Sequence, residues 1–377
     1  MKIYLDNAAT TAKKPISVYK KLIEKTIFSS VNAGRGTYRA SLSAASDILD
    51  TQEAAAELFN ISDASRIAFT QNATYALNTA IAGFVNKGEH IVITGIEHNS
   101  VLRPVYRLGN FTVAKADEKG NVTAQSIKDA IRPDTKLVAV SHASNVCGSV
   151  SPIGDITEAA HSVGAKVLID AAQTAGIIDI DVSSLGIDML AFSGHKGLMG
   201  PLGTGGLYVD EKITLRPLVT GGTGSMSESF LQPEIMPDML HSGTQNTPAI
   251  AALGSGIDFV SKHKSEIYEK ETELAREFIE GLLNVTNAKI FGNLYKNRNA
   301  TVTFNIGNLD CIEVAAMLEE VFGIQVRAGF HCSPLTHKTL GTQKTGCVRA
   351  SFGFFNKKSD VKKILAAINK IQKNGYN

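Results

Sequence analysis

The sequence predicts an α/β protein with a large, doubly wound, mainly parallel sheet and a second, smaller α+β unit. Between residues 66 and 210, short β-rich runs alternate with helical stretches, as parallel sheets with crossover helices require. Two of these runs, KLVAV and KVLI, are continuously apolar, which is typical of strands buried on both faces. Near Thr247 the pattern changes to a long helical stretch that leads into a second series of strands and helices.

The predicted elements follow one another in a simple order. The runs assigned to the large sheet are RIAFT, HIVITG, FTVAKA, KLVAVSHA, KVLID, MLAFSG and GGLYV. The second unit contains two strands (AKIFG, TVTFNI), a helix (CIEVAAMLEEVFG), two further strands (IQVRAG, CVRASFG) and a closing helix (DVKKILAAINKIQK). We therefore predict a large domain over residues 16–250 and a small C-terminal domain over residues 251–377, and we expect the N-terminal segment 1–15 to join the small domain.

The composition limits the classes of function. With 38 basic and 36 acidic residues, the formal charge of +2 provides no general attraction for nucleic acid or anionic lipid. The four cysteines, Cys147, Cys311, Cys332 and Cys347, form no CxxC pair, so neither a disulfide framework nor a zinc ribbon is indicated. There is no apolar run of 18 residues and no signal-peptide pattern at the start, so we expect a cytoplasmic protein.

Polar side chains with complementary chemistry follow two predicted strands. Asp170 ends KVLID and Gln173 comes three residues later, while Ser193, His195 and Lys196 end the next strand. Ligands of parallel sheets gather at the carboxyl ends of the strands. A strand-end carboxylate can hold a protonated pyridine nitrogen, and a desolvated lysine can form an imine. Pyridoxal phosphate requires both groups.

These motifs resemble those of the class V aminotransferase family, especially its cysteine desulfurase and selenocysteine lyase branch. DxxQ followed by SGHK is similar to the cofactor motif of that family. The similarity extends from YLDNAATT through NAGRGTYRAS, FTQNATYALN, EHNS and SNVCGS to RAGFHC and CVRAS. The resemblance implies fold type I of the pyridoxal-phosphate-dependent transferases, which is the aspartate-aminotransferase-like fold, and pyridoxal 5'-phosphate as the cofactor.

The resemblance implies a cofactor contact for each matching residue. Lys196 would hold the cofactor as a Schiff base, Asp170 would pair with its pyridinium nitrogen, and Gln173 would bond its phenolic oxygen. The other implied contacts are His98 stacked on the ring, where it can also move protons, Asn145 beside the cofactor or substrate, Ala73, Thr74, Ser193 and His195 at the phosphate, and Thr244 from the neighbouring subunit. Many relatives have two adjacent threonines where this chain has Ala73 and Thr74, so one hydroxyl is missing. A homodimer with a shared active site is implied.

A long connection in the second unit carries the candidate nucleophile. It spans the 16 residues from Phe330 to Thr345, more than the ~12 to 15 residues usual for unstructured loops, so we expect it to have a function. A mobile segment at this place could bring Cys332 towards a substrate, and the sequence leaves open whether the loop is ordered. Its Cys332 matches the family's sulfur-accepting cysteine. The loop reads FHCSPL where the closest branch has HHCA, and its length resembles the short-loop desulfurase group, whose members often depend on a partner protein. For Cys311 and Cys347 we expect packing roles.

Arg349 is the predicted substrate ligand. A guanidinium in a strand is costly unless paired, and its planar fork fits a carboxylate; a structural ion pair is the alternative. The resemblance implies that Arg349 binds an amino acid with help from Asn145. We predict a cysteine desulfurase that converts L-cysteine to L-alanine and forms a persulfide on Cys332, for transfer to a sulfur-acceptor protein or thiol. Selenocysteine lyase activity, another lyase or transaminase activity and a non-catalytic cofactor-binding protein stay open as alternatives. A weaker alternative is a metal site made of His331, Cys332, His337 and Cys347, whose spacing lacks the pairs of structural zinc sites.

Overall fold

The computed structural model describes residues 2–34 and 36–374. In chain order the strands are β1 (Ile3–Tyr4), β2 (Ile67–Thr70), β3 (His90–Thr94), β4 (Phe111–Ala114), β5 (Thr135–Ser141), β6 (Lys166–Asp170), β7 (Met189–Ser193), β8 (Gly205–Val209), β9 (Ala288–Phe291), β10 (Thr301–Ile306), β11 (Ile324–Gln325), β12 (Arg327–Gly329) and β13 (Cys347–Ser351). The helices are α1 (Ile16–Phe28), α2 (Arg39–Phe59), α3 (Ala73–Phe84), α4 (Asn99–Leu108), α5 (Ala124–Lys128), α6 (Ile153–His161), α7 (Thr247–Leu283), α8 (Cys311–Phe322), α9 (Pro334–Thr339) and α10 (Lys358–Asn374). Every run that the sequence assigned to a strand contains one.

The large sheet has seven strands in the order β2-β8-β7-β6-β5-β3-β4. Strands β4, β3, β5, β6 and β7 are parallel to one another. Strand β8 runs antiparallel to β7, and β2 runs antiparallel to β8. The predicted doubly wound, mainly parallel sheet is confirmed.

Both faces of this sheet are buried, which explains its continuous apolar runs. In β5, Leu137 and Ala139 belong to one apolar cluster, whereas Val138 and Val140 belong to another. Successive side chains of a strand point to opposite faces, so the two clusters lie on the two sides of the sheet. Each fully buried aliphatic side chain of the size of valine or leucine contributes roughly 1.5 to 3 kcal/mol to folding.

The long helix predicted near Thr247 is α7, which has 37 residues. Its N-cap is Asn246, whose side chain accepts the backbone N–H of Ala249, and non-helical backbone angles at His263 interrupt it. The predicted domain boundary after residue 250 falls in its first turn, and the division into domains stays a prediction. In the described part of the chain, no helix is both long enough and apolar enough to cross a membrane.

A four-stranded antiparallel sheet, in the order β12-β13-β10-β9, forms the second unit. Beside it β1 pairs in parallel with β11, and Asp6 forms a bridge with Ser351 of β13. Leu5 packs in the same apolar cluster as Phe278 of α7 and Phe304 of β10. The N-terminal segment therefore lies against the small sheet, and from there it runs on towards the carboxyl end of β7, where Thr11 donates to the backbone of His195.

Candidate active site

A cavity of about 190 Å³ opens at the carboxyl ends of β5, β6 and β7. The predicted site residues that line it are Ala73, Thr74, His98, Asn145, Asp170, Gln173, Ser193, His195, Lys196 and Arg349. A larger cavity, of about 540 Å³, lies beside Lys166 and Asp188 at the opposite ends of these strands, and no predicted site residue lines it. The smaller cavity is therefore the candidate active site, because the groups with complementary chemistry converge there.

Asp170 and Lys196 meet in this cavity. Asp170, the last residue of β6, is 6% exposed, and its Oδ1 accepts the backbone N–H of Ala172 at 2.9 Å. Burial raises the pKa of the Asp170 carboxyl, against the opposing effects of the Ala172 N–H and the Lys196 ammonium. Burial lowers the pKa of Lys196 to about 8, partly offset by Asp170. Gln173 is fixed nearby by a hydrogen bond from its Nε2 to the carbonyl of Ala8 at 3.0 Å.

We expect Lys196 to become nucleophilic at a lower pH than an ordinary lysine. Only the neutral amine reacts, and with a pKa of about 8 it is half neutral near pH 8 and almost fully neutral above about pH 9. An ordinary lysine, with a pKa of about 10.4, is only ~0.1% neutral at pH 7.5. Competitive labelling of the cofactor-free protein with an amine-reactive reagent, read by peptide mass spectrometry, measures this pH dependence, with the exposed Lys87 as internal reference. Parallel profiles for the two lysines up to pH 10 would contradict it.

His98 is neutral and has a defined tautomer. It is the N-cap of α4, and its Nδ1 accepts the backbone N–H of Ser100 at 3.1 Å. Because Nδ1 accepts this bond, the proton of the neutral ring is on Nε2. Burial, with the positive charges of Lys196 and Arg327, lowers the pKa of His98 to about 4. The ring can therefore stack on a flat ligand and offer a proton from Nε2.

Glu97, which the sequence reasoning missed, supports this part of the cavity. Its carboxyl accepts the hydroxyl of Thr94 at 2.5 Å, and the backbone N–H and hydroxyl of Ser141 at 3.0 and 2.7 Å. Burial raises the pKa of Glu97 to about 7. Ser141 lines the cavity, so Glu97 fixes a wall of the site without lining it. A signal was present, because Glu97 directly precedes His98 in EHNS.

The start of α3 supplies donors for an anion. Asn72 caps the helix, which begins at Ala73. The hydroxyls of Thr74 and Ser100 are hydrogen-bonded at 2.7 Å and so connect the starts of α3 and α4. Backbone N–H groups at a helix start and nearby hydroxyls suit a phosphate.

Cys332 lies beside the cavity rather than in its lining, and it is exposed. The connection that carries it contains the short helix α9 and is anchored by polar contacts. Asn145 Nδ2 donates to the carbonyl of His331 at 2.7 Å, and the Ser333 hydroxyl donates to Asn145 Oδ1 at 2.6 Å. The backbone N–H of Asn99 donates to the carbonyl of Cys332 at 2.8 Å. The thiol is thus presented from a fixed backbone.

Arg327 was not selected from the sequence, yet it lies between the cavity and the thiol. It lines the cavity, and its Nη2 donates to Cys332 Sγ at 3.7 Å. It is in register with Arg349 on the neighbouring strand. Reactive cysteines are commonly found beside such cationic groups. Nothing local in IQVRAG distinguishes Arg327 from a surface arginine.

Arg349 is 1% exposed and already has partners. Its Nη2 donates to Asp6 Oδ1 at 2.5 Å and its Nη1 to the carbonyl of Asn145 at 2.8 Å. The structural ion pair considered as an alternative is therefore present. Its Nε is buried without a hydrogen-bond partner among the described residues, so this donor is available for a ligand. The substrate roles of Arg349 and Asn145 stay predictions.

The remaining candidates lie away from the cavity. Cys347 packs with Val146, Cys147, Phe291 and Leu340, and Cys311 is also buried, so the expected packing roles are confirmed. Within residues 2–34 and 36–374, no group of three or more histidine, cysteine or acidic side chains is arranged to hold a metal ion. Thr244 is exposed and does not line the cavity of its own chain, and its contact with a neighbouring subunit stays a prediction.

Known proteins resemble this chain over nearly its whole length. A family model described as aminotransferase class-V matches residues 3–364. A probable cysteine desulfurase from Methanothermobacter thermautotrophicus is 35% identical, covering 95% of this chain and 92% of the relative. A probable cysteine desulfurase from a Synechocystis species is 32% identical, covering 97% and 90%. The apo structure of a cysteine desulfurase from Thermococcus onnurineus superposes with a TM-score of 0.92 at 32% identity, covering 99% of this chain and 95% of that one. For the cysteine desulfurase CsdA from Escherichia coli, the TM-score is 0.88 at 25% identity, with coverage of 99% and 95%.

Proposed function

The chain belongs to the aminotransferase class-V family, and from this membership we propose that it is a pyridoxal-phosphate-dependent cysteine desulfurase. It converts L-cysteine to L-alanine and forms a persulfide on Cys332. The observation that carries the proposal is an exposed thiol, on an anchored backbone, beside a cavity that contains Lys196 and Asp170. Relatives and solved structures named cysteine desulfurase support the same reaction.

The donor set of the cavity fits pyridoxal 5'-phosphate. Asp170 is a buried carboxylate suited to a pyridinium nitrogen, Lys196 is an amine suited to the aldehyde, and Gln173 can bond the phenolic oxygen. The start of α3, with Ser193 and His195, suits the phosphate. When bound, the cofactor supplies an electron sink for the charge left at the α-carbon of the substrate.

Two residues handle protons in this scheme. Lys196 Nζ, whose pKa of about 8 makes it a base near neutral pH, takes the proton from the α-carbon of cysteine. His98 relays to the carbon from which sulfur departs the proton that the Cys332 thiol gives up, so its ring is neutral before and after the step.

Cys332 receives the sulfur. Its Sγ attacks the sulfur of the substrate, an S–S bond forms, and the C–S bond breaks with its electron pair left on carbon. Protonation of that carbon yields alanine, so cysteine and one thiol give alanine and one persulfide without an external oxidant. Arg327 Nη2, 3.7 Å from Sγ, donates a hydrogen bond to the attacking sulfur. Because Cys332 is exposed, an acceptor thiol can reach the persulfide.

We expect Arg349→Lys to impair the use of cysteine while leaving the cofactor in place. A lysine has no planar fork and cannot hold the substrate carboxylate while keeping the contacts that Arg349 makes with Asp6 and Asn145, so kcat/KM for L-cysteine should fall roughly 10- to 100-fold. Steady-state production of alanine measures this effect, and the visible absorbance of the bound cofactor reports its retention.

Arg107→Lys, on the exposed side of α4, is the matched control and should behave like the wild type. An unchanged kcat/KM in Arg349→Lys would show that Arg349 does not bind the substrate and has only the structural role of its ion pair with Asp6.

The surroundings of the enzyme are also part of the proposal. The enzyme acts in the cytoplasm as a homodimer in which Thr244, exposed and outside its own cavity, completes the site of the neighbouring subunit. A sulfur-acceptor protein or small thiol then receives the persulfide, and iron-sulfur cluster assembly is one destination. Neither nucleic acid nor a membrane is a partner, in keeping with a formal charge of +2.

Product analysis tests this function. Purified, cofactor-loaded protein given L-cysteine and a thiol reductant should release alanine and sulfide in equal amounts. Without reductant, mass spectrometry should find one extra sulfur on the peptide that contains Cys332. Faster turnover of L-selenocysteine that survives Cys332→Ser would identify a selenocysteine lyase, and absence of alanine from both substrates would reject the proposal.

A further inference from the structure

The backbone next to Lys196 is held by the N-terminal segment. The carbonyl oxygen of His195 accepts from the backbone N–H of Thr11, the hydroxyl of Thr10 and the ammonium of Lys14, each at 3.2 Å. The carbonyl oxygen of Lys196 accepts from the Thr11 hydroxyl at 3.0 Å. A carbonyl oxygen has two lone pairs, so these three donors use its full acceptor capacity and together connect this peptide to the N-terminal segment.

Lys14 is the unusual member of this group. Its Nζ donates to the carbonyls of Thr11 at 2.8 Å and His195 at 3.2 Å. No carboxylate of the described residues forms an ion pair with it, and burial lowers the pKa of Lys14 to about 8. A partly buried ammonium without a counter-ion is a costly way to satisfy two carbonyls. The adjacent Lys13 stays exposed, with its Nζ 5.2 Å from the ring centre of Phe355.

We propose that Lys14 is a positioning residue for Lys196: it clamps the carbonyls of Thr11 and His195 together and fixes the peptide from which the Lys196 side chain extends into the cavity. The inference rests on the proposed role of Lys196 in holding the cofactor. It assigns a function to a residue outside the cavity lining, on a segment far from Lys196 in sequence.

Lys14 also shapes the electrostatics beside Lys196. Burial and the positive charges of Lys196 and Lys14 lower the pKa of His195 to about 4. The neutral ring of His195 is fixed by Thr10, whose hydroxyl lies 3.1 Å from Nδ1. The segment from Thr10 to Lys14 therefore holds both the backbone and the side chain of His195, and the peptide before Lys196 has little freedom to turn.

Three variants separate positioning from simple loss of charge. Lys14→Met keeps the length of the side chain and removes its donors and charge, whereas Lys14→Arg keeps both. Lys13→Met is the control, because it removes the same charge from the neighbouring exposed residue. Each protein is prepared without cofactor and mixed with pyridoxal phosphate, and the rate of covalent attachment at Lys196 is followed by visible absorbance, borohydride reduction and peptide mass spectrometry. Steady-state kinetics and thermal unfolding are measured on the reloaded proteins.

Lys14→Met should attach the cofactor ~10-fold more slowly and lose a similar factor in kcat with little change in KM, since a displaced reacting group costs rate rather than affinity. Lys14→Arg should recover at least half of the attachment rate, and Lys13→Met should match the wild type. Attachment at the wild-type rate in Lys14→Met, or equal losses in Lys14→Met and Lys13→Met, would overturn the inference. The inference would also be overturned if Lys14→Met lost thermal stability and Lys14→Arg restored neither that stability nor the attachment rate.

Should Lys14→Met not fold, Lys14→Gln takes its place with Lys13→Gln as control, and slower attachment in the first alone supports the clamp while equal rates reject it. The attachment rate does not depend on the substrate of the enzyme. If the wild type binds the cofactor at Lys196 but releases no sulfur from cysteine, the proposed function is rejected. The attachment rates of the variants still test the role of Lys14 in that case. If the wild type desulfurates cysteine and Lys14→Met attaches the cofactor at the normal rate, only the proposed role of Lys14 is rejected.

Discussion

Alanine in place of Lys196 is expected to abolish both covalent attachment of pyridoxal phosphate and turnover of cysteine. No other lysine lines the cavity in the described part of the chain, so no second amine can take over beside Asp170. The loss of turnover should be about 1,000-fold or more, because in the proposed mechanism the residue both holds the cofactor and moves the α-proton. Borohydride reduction of the wild type should fix the cofactor on the peptide that contains Lys196, and Lys196→Ala should show neither this adduct nor the visible absorbance.

Lys212→Ala is a suitable control, since Lys212 is an exposed lysine beside the larger cavity. It should retain both the adduct and the activity. Near-normal turnover in Lys196→Ala, or an adduct on another lysine in the wild type, would remove the basis of the whole assignment.

Serine in place of Cys332 is expected to stop sulfur release and leave the cofactor bound. The side chain lies outside the cavity lining, so the visible absorbance should stay unchanged. A hydroxyl cannot accept sulfur as a persulfide, and alanine production from cysteine should therefore fall about 1,000-fold or more. The measurement is alanine and sulfide per enzyme, with a thiol reductant present.

Cys311→Ser is the matched control for this substitution. Cys311 is buried, and its Sγ donates to the carbonyl of Thr345, a bond that a serine hydroxyl can keep. Its activity should match the wild type. Normal turnover in Cys332→Ser would favour a lyase that needs no cysteine nucleophile.

The strands of the large sheet could be predicted because burial leaves a local signal. KLVAV and KVLI became β5 and β6, and their apolar residues alternate between two buried faces. The order of the strands had no such signal. GGLYV reads like its neighbours, yet as β8 it lies between β2 and β7 and runs antiparallel to both, an arrangement set by contacts between distant segments.

The convergence of Asp170 and Lys196 on one cavity could also be predicted, since neighbouring parallel strands bring their carboxyl ends to one edge of a sheet. The anchored segment around Cys332 could not. The sequence leaves its order open, because its contacts include a hydrogen bond between Ser333 and Asn145, which are 188 positions apart. Arg327 escaped notice for the same reason, because its neighbours in space are remote in sequence.

Asn145 contacts both the predicted substrate ligand and the segment that carries the predicted nucleophile. Its carbonyl accepts from Arg349, and its side chain holds the backbone at His331 and the hydroxyl of Ser333, on either side of Cys332. In the proposed mechanism, recognition of the carboxylate end of the amino acid would thereby be coupled to placement of the thiol that attacks its sulfur. Substitutions at Arg349 and in the Cys332 segment are consequently not energetically independent.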